Sequence, residues 1–255
     1  MMGNIQPAYI VSACLTLIAL TVFGSASHSP LLGNWLHNWQ TLIGSVLALI
    51  GAYWTVRKIS QQIEHSERVE ERRVRRAYEA RLATLPLVLS ETTDYAENAV
   101  RALSEARRIL KGGGARSLTG QWSPPLFPND VPRELGAFIE VCDNEDANAL
   151  VAELLRQIQI LDARMRSLFD EEEIIVSVLV NLTEYQLQAS KVLQLCGALF
   201  PFARGESAEI PKSLSRLPVI EAITFIDDDA EEDPDFCARR NNFLAVERPW
   251  WPSRQ

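Results

Sequence analysis

The chain has 255 residues, 47% of them hydrophobic and 23% charged, and a formal net charge of −8. These averages fit one or two ordinary domains, and the acidic balance gives no indication of a nucleic-acid partner. The distribution says more: residues 1–56 contain no Asp, Glu, Lys or Arg, so all 25 basic and 33 acidic residues follow Val56, and two solvents are implied.

Residues 7–23 (PAYIVSACLTLIALTVF) and 39–56 (WQTLIGSVLALIGAYWTV) are apolar runs. At about 1.5 Å per residue, each is just long enough for a bilayer core of roughly 30 Å. The intervening SASHSPLLGNWLHN is rich in turn residues, so a two-helix transmembrane hairpin is expected. Trp35, Trp39, Tyr53 and Trp54 stand at the ends of the second run, where amphipathic rings prefer the headgroup layer. The turn carries no Lys or Arg, whereas Arg57, Lys58, Arg68, Arg72, Arg73, Arg75 and Arg76 follow the second run. The basic side stays inside, which predicts a multi-pass inner (plasma) membrane protein with its N-terminus and C-terminal domain in the cytoplasm. A cleavable signal peptide is the alternative for the first run, with Gly24, Ser25 and Ala26 as small residues but no basic residue before it. Gly44, Ala48 and Ala52, and Ala8, Ser12 and Thr16, form small-residue stripes that suit packing of the two helices together. Neither run holds an ionisable residue, so a pump or proton relay has no support.

Residues 57–85 lack Gly and Pro and place Glu64 before Arg68 and Glu71 before Arg75 at i,i+4, predicting a solvated helical arm that continues the second span. Its eight basic residues against five acidic ones suit anionic headgroups as well as simple solvation. Pro86 is expected to interrupt the helix. Tyr95, Ala99, Ala102, Leu103, Ala106 and Leu110 then form the apolar stripe of another, ending at Gly112. Residues 111–132 read as an extended linker.

A helix is expected after Asp130 and Pro132, with Leu135, Phe138, Ile139 and Cys142 on its apolar face. Two coiled-coil-like seams follow. Val151, Leu154, Ile158, Leu161, Met165 and Leu168 form one, and Ile175, Val178, Leu182, Tyr185, Ala189, Val192, Cys196 and Leu199 the other. The short junction at Phe169 and Asp170, with Glu173 completing a capping-box-like restart, predicts an antiparallel pair. Short helices are expected near residues 218–226 and after Asp233 and Pro234. The expected class is all-α, in four parts: a transmembrane hairpin (1–56), a helical arm and amphipathic helix (57–110), a linker (111–132) and a cytoplasmic helical domain (133–255).

The sequence WQTLIGSVLALIGAYWTVRKI and the Glu/Arg-rich arm after it resemble uncharacterised bacterial inner-membrane proteins with a two-span N-terminal anchor, over roughly residues 35–110. The resemblance implies an inner-membrane setting and transfers no activity, cofactor or functional residue.

Chemistry-bearing motifs are absent: no GxSxG, HExxH, Walker lysine, CxxC or dinucleotide fingerprint occurs. His28, His37 and His65 read as loop or surface residues, and Cys14, Cys142, Cys196 and Cys237 as small apolar ones. No catalytic or cofactor-binding residue is nominated and no cofactor is implied. The conspicuous polar cluster is Asp227, Asp228, Asp229, Glu231, Glu232, Asp233 and Asp235, read as a solvated acidic connection dispensable for folding. Its capacity for a hard divalent metal is left open. The closing Pro249, Trp250, Trp251 and Pro252 are expected to dock on the helical core or rest at the membrane. The function expected is a membrane-anchored interaction or scaffold protein, with the lipid bilayer as one partner and a protein partner or second copy meeting its helical surfaces. A membrane-bound metal enzyme using the acidic cluster and a small channel are the alternatives.

Overall fold

The computed structural model describes residues 30–112, 118, 122–170 and 177–252. The first apolar run, Cys14, His28, Glu173 and Ile175 lie outside the described residues, as do the side chains of Trp35, His37, Trp39 and Val178. The described elements are helical: α1 (Pro30–Lys111), α2 (Val131–Val141), α3 (Glu145–Asp170), α4 (Ser177–Ala203), α5 (Leu217–Ile226), a 3₁₀ helix (Asp228–Glu232) and α6 (Pro234–Leu244). No strand occurs among them, as the all-α class requires. The chain divides into two units, residues 1–70 and residues 71–255.

In the first unit every described side chain from Gly44 onward is exposed. Among the described residues no helix is long and apolar enough to cross a membrane. A Cβ added at Gly44 or Gly51 meets nothing within 4 Å, so neither supports a close helix approach among these residues. The arm is helical and charged, with Glu64 bonded to Arg68 at 3.2 Å. The second expected pair forms differently: Arg75 turns to Glu79 at 3.0 Å.

The second unit holds the core. Pro86 lies inside α1 rather than ending it. A proline removes the bond its N–H would give to the residue 82 carbonyl and crowds that carbonyl, at a cost of about 3 kcal/mol. Burial on both sides offsets this, since Leu85, Val88, Leu89 and Thr92 are all buried. The apolar stripe therefore starts before Pro86, with Tyr78 and Leu82 partly buried against the core, and runs on through Tyr95, Ala99, Leu103 and Ala106.

Of the stretch read as a linker, the described part lacks regular structure yet is packed down. Leu118 is fully buried and Trp122 nearly so, with the indole N–H donating to the Ala102 carbonyl at 2.6 Å. Phe127 meets the Tyr95 ring edge-on at 5.5 Å. In α2, Leu135 and Phe138 are buried as expected. Asp130 makes no capping bond there and pairs with Arg133 at 3.1 Å.

The pair α3 and α4 packs along an extensive contact. Val151, Leu154, Ile158, Leu161, Met165 and Leu168 are all buried, as are Leu182, Ala189, Val192, Cys196 and Leu199 across the seam. Arg164 stacks over Tyr185 while Gln157, two turns earlier, bonds to Gln188, so the helices run antiparallel. Asn144 starts α3 by accepting the Ala147 N–H at 3.0 Å. Gly205, at φ 71°, ends the turn after α4, where Glu206 N–H reaches the Pro201 carbonyl at 2.8 Å; a Cβ disfavours that backbone. The terminal tryptophans dock on the helical core. Trp250 and Trp251 are buried and bracket Leu214 through backbone bonds of 3.0 Å each, while the Trp250 indole donates to Gln194.

Candidate functional site

The acidic run is not a solvated loop. Asp227, Ala230, Asp233 and Phe236 recur every third residue, the period of the 3₁₀ helix between α5 and α6. Ala230, Asp233 and Phe236 are buried, while Asp228, Asp229, Glu231 and Glu232 are exposed. The expectation of a solvated run is therefore corrected for Asp233, which is buried, and for Asp227, which is partly buried, while Asp228, Asp229, Glu231, Glu232 and Asp235 are exposed.

Asp233 caps α6, accepting the Asp235 N–H at 2.9 Å. Its Oδ1 also accepts from Lys111 Nζ at 2.7 Å. Its Oδ2 faces Arg107 Nη1 at 3.2 Å as an ion pair, without a well-directed hydrogen bond. The Arg107 guanidinium is 8% exposed and donates to Thr183 Oγ1 at 2.9 Å and to the Gln186 amide oxygen. Gln186 passes its amide N–H to Ser104 Oγ at 2.9 Å, and Ser104 donates to Asp227. One network thus ties the end of α1 to α4, to the 3₁₀ helix and to the start of α6.

Electrostatics follow the geometry. Burial alone pushes the Asp233 carboxyl up. The bonds from Lys111 and the Asp235 amide, with the charges of Arg107 and Lys111, reverse this and leave it below the ordinary carboxylate value. Burial lowers the Arg107 pKa against the opposing pull of Asp233, Asp227 and Asp235, and a guanidinium stays charged regardless.

Beside the network opens a cleft of about 380 Å³, lined by both signs of charge: Arg107, Arg108 and Lys111 face Asp227, Asp229 and Asp233. Its most buried charges already hold internal partners, so its chemistry is that of a structural clasp with a charged mouth. Among the described residues no three His, Cys, Asp or Glu side chains converge as a metal-ligand set. The thiols are placed as small apolar groups: burial pushes Cys196 up to about 12 and Cys142 also upward, which keeps both protonated. His65 is exposed on the arm.

Sequence reasoning missed Arg107, Thr183 and Gln186. The available signal was an arginine beside the stripe of Leu103, Ala106 and Leu110, and two polar residues flanking Leu182 and Tyr185 on a seam. Comparison of the chain with protein-family models, curated proteins and solved structures finds no match.

Proposed function

We propose that the chain is a membrane-anchored interaction or scaffold protein. A two-span hairpin over residues 7–23 and 39–56 holds a helical domain on the cytoplasmic face of a bacterial inner membrane. The observation that carries this reading is the apolar surface of α1 between Leu42 and Val56. Leu42, Val46, Leu47, Leu49, Ile50, Tyr53, Trp54 and Val56 are all exposed. Steps of 3, 4 and 7 residues separate some of them and steps of 1 and 2 others, so they surround the helix rather than stripe it. A helix apolar on all sides needs an apolar environment. Directly after it the exposed side chains become charged, the change of solvent expected at a bilayer surface. The scaffold role is supported by the second unit, whose buried charged groups join helices to one another and whose surface is left for partners.

Alkaline extraction of membranes carrying the full chain tests the anchor: the chain is expected in the pellet, and its release into the supernatant refutes anchoring. Cross-linking in intact membranes tests the scaffold role. A stoichiometric partner, heterologous or a second copy, is expected to join through residues 133–255, and a chain that stays uncoupled at every cross-linker length refutes it.

A further inference from the structure

On an acidic chain, one face of residues 71–255 gathers cations without counter-ions. Lys191 Nζ stands 5.6 Å from the centroid of the Phe243 ring and 5.7 Å from that of Trp250. Arg216 Cζ lies 4.6 Å over the same Phe243 ring, and its Nε donates to the Arg248 carbonyl at 3.0 Å. Among the described residues none of the three has a carboxylate within ion-pair distance. Their neighbours differ: Arg239 holds Glu184 at 2.6 Å and Arg156 holds Glu153 at 2.5 Å. Those two carboxylates are the ones that act on Lys191 from a distance, and each already has its own arginine.

The positive charge is uncompensated in other ways. Burial lowers the Lys191 pKa, and Arg216 and Arg164 add to the effect against the pull of Glu184 and Glu153. Burial and then Arg248 lower that of Arg216. Contact with an aromatic face attracts each cation and removes no charge. The same corner holds the N-terminus of α5, where Arg216 sits at the cap position, no side chain caps and the first turn has no acidic residue. Its partial positive charge adds to the three side chains.

We propose that Lys191, Arg216 and Arg248 form a binding site for a phosphate-bearing anion. Phosphate suits the set because its several acceptor oxygens take bonds from an ammonium and two guanidinium forks together, and charge-assisted bonds of that kind are the strong ones. Leu217, next to Arg216, and Val246, two residues before Arg248, are 53% and 40% exposed, which suits either a soluble phosphate ester or the headgroup of an anionic lipid. The site does not depend on how the N-terminal region is anchored.

The test uses the full chain in phosphatidylcholine nanodiscs and reads its thermal unfolding midpoint. In one arm inorganic phosphate is titrated against chloride at matched ionic strength. In the other, phosphatidylglycerol replaces phosphatidylcholine with no phosphate present. A ligand that binds only the folded state raises the midpoint, on the order of 5 °C at a hundredfold excess over Kd. The expected result is a saturable rise in at least one arm that Lys191→Gln and Arg248→Gln each abolish. A rise in the phosphate arm assigns a soluble ester, and one confined to the lipid arm assigns the headgroup. Arg248 is exposed, so Arg248→Gln remains decisive if Lys191→Gln fails to fold. No rise in either arm, or a rise that survives in Arg248→Gln, overturns the proposal.

Discussion

Arg107 can be buried because Asp233, Thr183 and Gln186 meet its guanidinium, and the cost of removing it falls on what is left behind. Arg107→Met strands the Asp233 carboxylate with Lys111 as its remaining cation and is expected to destabilise the fold by about 3–5 kcal/mol. Asp228→Asn and Asp229→Asn alter exposed groups of the same run and should stay within about 0.5 kcal/mol. Urea unfolding of the three variants checks the contrast, and equal effects would remove Asp233 and Arg107 from the core. The same pair sets a pH dependence. The folded-state pKa of Asp233 is lowered, so at low pH the unfolded chain binds more protons than the folded one. The stability this contributes is complete above the unfolded value of about 3.9 and is lost as pH falls through the folded value. Denaturation midpoints measured downward from pH 5 should therefore fall, and less steeply in Asp233→Asn. This part of the site was illegible because nine residues dense in carboxylates read as solvent-facing. The inward set emerges only when Ala230 and Phe236 are taken as markers of a three-residue period.

The antiparallel pair α3 and α4 was legible because its period of three and four keeps apolar residues on one face for about five turns from Val151 to Leu168, a pattern that no local detail can disguise. Leu161 and Leu182 are fully buried, so Leu161→Ala or Leu182→Ala should cost about 2–5 kcal/mol, whereas the exposed Gln159→Ala should cost a few tenths. Thermal unfolding read beside light-scattering mass checks this: a change of mass at unchanged stability would mean that the seam faces another chain. Pro86 shows the opposite limit. Local chemistry argued for a break, and the contacts that overrule it, Leu85 and Leu89 on the core, come from residues far along the chain. Pro86→Ala restores a backbone donor and relieves the crowded carbonyl, so it should stabilise the domain by about 1–3 kcal/mol. A loss of stability would show that the helix needs the local geometry that proline imposes.

At the scale of the whole chain, the partition between an uncharged segment and a charged one was plain from composition alone. How residues 71–110 join residues 131–252 in one core was not, since Trp122 and Leu118 in the intervening stretch carry no periodic signal. The charge asymmetry predicts topology: a reporter fused after Gln255 should report the cytoplasm and one near Asn34 the opposite side, and an external C-terminal signal would sink the arrangement. The clasp also constrains the order of events during synthesis. Lys111 and Asp233 are 122 residues apart, and at roughly 5–20 residues per second a ribosome needs about 6–25 s to supply the second after the first. Throughout that interval Arg107 and Lys111 stand without Asp233, although the residues that cover the apolar stripe of α1, from Trp122 through α4, are made earlier. The clasp is therefore a late event of synthesis, closing only once the 3₁₀ helix and the start of α6 have left the exit tunnel.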